Sequence, residues 1–148
     1  MITSNTNVPM KSNNLFASLI FSILILTSFV NIPQNTLLLK KWKIEFSTAL
    51  LAMPTTAQTH YQNLTEAQKA TVRADVERAT WEFKEAGVFV QTYSDGETGQ
   101  GTWSLSSNQK YITISVDGNT FTHEIKILNA TTLVIKNNEG KEVTYHPL

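Results

Sequence analysis

The sequence predicts a mostly β protein, an eight-stranded up-and-down antiparallel barrel with one helical insert between strands 1 and 2. Three observations predict it. From residue 38 onward, short runs alternate apolar and polar residues, the period of a strand with one buried face. Tight turn signals separate the last seven runs, so consecutive strands pair antiparallel. Eight such strands close on themselves and leave no exposed sheet edge.

Taken in order, Trp42, Ile44 and Phe46 share one face of the first strand, with Lys43, Glu45 and Ser47 on the other. "NLTEAQKATVRADVERA" then changes period. Thr65 stands as a helix N-cap with Gln68 three residues later, the spacing of a capping box, and the helix is expected over about 65–79. Ala67, Ala70, Ala74 and Val76 give it only a thin apolar stripe, so it lies over the barrel as a lid or flank. Trp81 and Phe83 begin the second strand, which turns through Lys84-Glu85-Ala86-Gly87 into "VFVQTY". The Gly-rich link "SDGETGQG" leads to "TWSLS", and a turn at Ser107-Asn108-Gln109 leads to "YITISV". Asp117-Gly118 is a strong hairpin signal, because glycine tolerates the positive φ that such turns demand. "TFTHEIKIL" places Phe121, His123, Ile125 and Ile127 inward and Thr122, Glu124 and Lys126 outward. "TTLVIK", a turn at Glu139-Gly140 and "EVTYHP" complete the set.

Ahead of this domain, Leu15 to Val30 carry no charge and follow Lys11. That stretch stands between a signal peptide's apolar region and a membrane-spanning helix in length. The expected division is residues 1–30 as signal peptide or signal anchor and 31–148 as the barrel. Cleaved export is the first expectation, to the periplasm, cell envelope or exterior. The alternative is an uncleaved anchor, because no small-x-small site follows the run and Lys40, Lys41 and Lys43 come soon after it. "KKWKIEFSTALLAMPTTAQ" imitates a second signal peptide, but Glu45 interrupts its apolar stretch.

The strands "GTWSLSSNQKYITI" and "HEIKILNATTLVIK", with "LKKWKIEFS" and "WEFKEAGVFVQTY" before them, resemble the small lipocalin-like domains of secreted bacterial proteins. The resemblance covers roughly residues 38 to 148 and implies a calycin-type barrel, exported, with ligand binding inferred for some relatives. One position departs from it: where the family's first strand often carries Gly-x-Trp, this chain has Lys40-Lys41-Trp42.

Composition narrows the function classes. Net charge is +0, so no basic field attracts nucleic acid or acidic lipid; contact with a membrane is expected only through residues 15–30, if these are retained. Cysteine is absent, which removes disulfides and thiolate chemistry. His60, His123 and His146 follow no metal-ligand spacing, and His123 reads as a hydrogen-bonded barrel histidine. No cofactor is expected. Serines lack a nucleophile elbow and no Gly-rich phosphate loop occurs, so an enzyme is not expected.

The first expectation is therefore a non-enzymatic module for a small apolar or amphipathic ligand. Strand phase and aromatic size select Trp42, Phe46, Trp81, Phe83, Trp103, Ile114, Phe121, Ile125 and Tyr145 as candidate cavity lining. The alternative is a filled barrel that serves as an envelope interaction module. In it Trp103 plugs one barrel end and Gly101 permits close backbone approach.

Overall fold

A computed structural model describes residues 34–148. The signal peptide or anchor expected over 1–30 lies outside the described residues, among which no helix is long and apolar enough to cross a membrane.

Eight strands form a closed antiparallel barrel in sequence order. They are β1 (Lys41–Ile44), β2 (Thr80–Phe83), β3 (Val88–Thr92), β4 (Thr98–Leu105), β5 (Tyr111–Val116), β6 (Asn119–Leu128), β7 (Leu133–Lys136) and β8 (Glu142–Pro147). Closure comes from β1, which sets Trp42 opposite Trp81 of β2 and, on its other edge, Ile44 opposite Tyr145 of β8.

The hairpins form where the turn chemistry demands them. Asp117 and Gly118 take φ of 51° and 77°, the paired positive values of a two-residue turn that matches strand twist. At the β7–β8 turn, the Asn137 side-chain oxygen accepts from the backbone N–H groups of Glu139 and Lys141. Asparagine thereby supplies the turn's hydrogen bonds from its own side chain.

Between β1 and β2 lie three helices: α2 (Phe46–Ala52), α3 (Thr55–Gln62) and α4 (Glu66–Arg78); a short α1 (Gln34–Leu38) precedes β1. The α4 N-terminus has the expected capping box, with Thr65 accepting from the Gln68 N–H and Gln68 accepting from the Thr65 N–H. This helix is a flank, since its Glu77 pairs at 3.0 Å with Lys43, which alternates outward from Trp42 and Ile44.

The expectation for Phe46 needs correction. It opens α2, where the Glu45 carbonyl accepts from the Ala49 N–H at 3.0 Å. Three alternating positions were too few to hold a strand against an Ala- and Leu-rich segment that favours helix. A second correction concerns Ile127. A bulge between Ile125 and Ile127 shifts the register, so Ile127 is 48% exposed and Leu128 packs on the core in its place.

Candidate functional site

The two ends of the barrel differ. At the end where α1 enters, Leu38 and Trp42 are fully buried, and the Trp42 ring N–H donates to the Leu38 carbonyl at 3.1 Å. Trp103 packs edge-on against Phe83 and donates its ring N–H to the Lys84 carbonyl at 3.0 Å. Phe83, Phe89, Ile112 and Leu133 fill the space between with at most 1% exposure. Indole is suited to this place, a large apolar plug whose single donor ties down a neighbouring turn.

Gly101 belongs to the same construction. A Cβ there would fall within the Ser115 carbonyl and stand 2.9 Å from Val116 Cα. Only glycine lets β4 and β5 approach this closely.

Toward the opposite end, an aromatic layer spans the barrel. The Trp81 ring stacks on Tyr145 at 4.8 Å and meets His123 at 5.8 Å, so β2, β6 and β8 touch across the interior. Burial pushes the Tyr145 phenol well above its ordinary pKa and the His123 imidazole below its own. Two residues nearer the β5–β6 hairpin stands Phe121. Register places it opposite Ile114 on the inward face, yet it is 45% exposed. Its ring lies nearly parallel to His123, at 12° and 6.4 Å.

Above this layer the rim is polar. The Tyr93 hydroxyl donates to the Asp117 carboxylate and ties the β3–β4 hairpin to the β5–β6 hairpin. Arg78 at the end of α4 donates to the Ser94 carbonyl at 2.9 Å and joins the helical layer to the same rim. Gln91, opposite Trp81 in the ladder, faces inward and is half-buried. The mouth thus has an aromatic floor and a polar rim, a composition suited to an apolar molecule with a polar end.

The structure sorts the sequence-selected residues into groups. Trp81, Tyr145 and Phe121 come together at the mouth, with Ile125 half-buried and packed on the core below. Trp42, Phe83 and Ile114 lie in the packed core at 0–2% exposure. Trp103 belongs to the plugged end. Phe46 stands apart in the helical layer, 5.2 Å from the Tyr61 ring, with the Arg73 guanidinium over it.

His123 and Gln91 were missing from the selection, which took only apolar and aromatic side chains. Strand phase did point His123 inward, but its Nδ1 is buried without a hydrogen-bond partner rather than satisfied within the barrel. Among the described residues, no three His, Asp or Glu side chains group closely enough to hold a metal ion.

No curated protein matches the chain. Among the solved structures similar to this chain are two bacterial proteins. One is a DUF4847 family protein from Bacteroides vulgatus, at 13% identity over 76% of this chain and 95% of that one, with a TM-score of 0.49. The other is a lipocalin-like protein from Bacteroides uniformis, at 15% identity over 76% of this chain and 99% of that one, with a TM-score of 0.47. The family model of the lipocalin-like domain matches residues 38–135, from the buried Leu38 at the plugged end through seven strands of the barrel to Ile135. With the closed eight-stranded barrel already established, that match places the chain in the lipocalin-like domain family.

Proposed function

We propose that this chain is an exported, non-enzymatic binding module that takes a small apolar or amphipathic molecule at the rim-lined mouth of its barrel. The observation that carries the reading is Phe121, an aromatic ring on an inward register position with 45% of its surface exposed. Small barrels fill their interiors with their own side chains, and here Phe121 stays exposed beyond the layer of Trp81, His123 and Tyr145, while Val116 beside it is buried. An exposed phenyl above a stacked aromatic floor is a surface an apolar ligand would cover with gain. Export rests on the uncharged run from Leu15 to Val30.

The test is titration with the neutral fluorescent probe N-phenyl-1-naphthylamine. Saturable enhancement is expected, accompanied by a change in Trp emission. Phe121→Ala should weaken binding by about tenfold, the loss of one apolar ring face, with little change in stability. A linear, unsaturable response would end the reading. It would leave the second one, a filled barrel serving as an interaction module in the envelope, which the near-zero exposure of Trp42, Phe83, Phe89 and Ile112 favours.

A further inference from the structure

We propose that His123 is the polar anchor of the mouth, and that it selects an apolar ligand carrying one neutral hydroxyl donor, of the phenol or alcohol class. The inference deepens the binding reading above and rests on it.

The imidazole is confined. Trp81 lies 5.8 Å to one side and Phe121 stacks 6.4 Å away at 12°, so the ring has little freedom to turn toward water. Its Nδ1 is buried and has no hydrogen-bond partner. A buried polar atom of this kind costs free energy until something satisfies it, and in native proteins it calls for an explanation.

The chemistry of the missing partner follows from the surroundings. A neutral imidazole offers one donor and one acceptor. An orphaned buried N–H is rarer than an orphaned acceptor, so the unpartnered Nδ1 is assigned the bare lone pair and Nε2 the proton. That lone pair requires a donor.

An ammonium donor would need a counter-ion beside Nδ1, and the rim carboxylate, Asp117, is held by the Tyr93 hydroxyl. Glu124 and Lys126 flank His123 on β6 but alternate outward, where they pair with each other at 3.1 Å. Tyr145, the other titratable group in the aromatic layer, is buried and neutral. A neutral O–H satisfies Nδ1 with no charge to desolvate. The rest of the ligand then lies against the exposed ring of Phe121, with Gln91 and the Tyr93–Asp117 rim above.

Two probes of nearly equal shape test this: 2-naphthol, which donates, and 2-fluoronaphthalene, which does not. Each is titrated by Trp fluorescence into the folded domain and into His123→Leu and His123→Asn variants. Relative to His123→Leu, the wild-type chain should show an affinity ratio shifted about tenfold toward 2-naphthol. His123→Asn, whose amide oxygen can accept near the Nδ1 position, should recover part of the shift.

A wild-type domain that binds both probes but prefers 2-fluoronaphthalene overturns the inference and leaves the binding reading intact. So does a ratio unchanged in His123→Leu. Saturable binding of neither probe overturns both.

Discussion

Replacing Gly101 with alanine adds a single methyl group at the point where β4 and β5 approach most closely. The added Cβ would occupy the space of the Ser115 carbonyl and crowd Val116 Cα at 2.9 Å. These are backbone atoms, so no side-chain rotation relieves the clash and the two strands must separate. Separation strains the Gly101–Val116 and Thr102–Ser115 pairs of the ladder.

Overpacking of this kind costs about 1–3 kcal/mol, and each weakened ladder bond adds about 1 kcal/mol. The expected loss is therefore about 3–4 kcal/mol, a large part of the roughly 5–15 kcal/mol that holds a domain folded. Gly118→Ala is the matched control. Its φ is +77° and no atom lies within 4 Å of the added Cβ, so it meets left-handed strain of about 1–2 kcal/mol. Reduced freedom of the unfolded chain offsets roughly 0.5 kcal/mol of that.

Urea denaturation followed by Trp emission separates the two. At a slope of roughly 1.5 kcal/mol per M, Gly101→Ala should lower the midpoint by about 2 M and Gly118→Ala by less than about 1 M. If Gly101→Ala shifts the midpoint less than Gly118→Ala, the close-approach account of β4–β5 is wrong.

Trp103→Ala should destabilise by about 3–5 kcal/mol, because it empties the plugged end and frees the Lys84 carbonyl from its indole donor. The same urea titration checks it, and a loss below about 1 kcal/mol would show that the indole is not the plug. Stability should also fall as pH drops from 7. His123 has its pKa lowered by burial, so below about 6.5 the unfolded chain takes up the proton first. Its contribution is fully present above that pH and is lost as pH falls through the lower folded value. His123→Asn should flatten the slope of the midpoint between pH 7 and 5; an unchanged slope would assign it to other groups.

Local chemistry made much of this fold readable. The capping box at Thr65 and Gln68, the Asp117-Gly118 turn and the alternation of Ile112, Ile114 and Val116 each involve residues near one another in the chain. Such signals survive without a tertiary context. They sufficed for eight strands in their antiparallel order. The segment from Phe46 to Gln62 was harder, because a short apolar run with alanine and leucine suits either helix or strand.

The mouth depended on contacts that no local pattern encodes. Phase alone placed Phe121, His123 and Ile127 on one face as equals. The bulge after Ile125 turned Ile127 outward, while the reach of Trp81 across the barrel to His123 and Tyr145 joined β2, β6 and β8 in one aromatic layer. How far an inward side chain is buried depends on what the opposite wall brings to its level, and that wall is distant in sequence. The amino-acid order thus determined the strands, their turns and the barrel they build. Tertiary structure decided how Trp42 and Trp103 are tied down at one end, that Phe121 stays exposed at the other, and which histidine nitrogen lacks a partner.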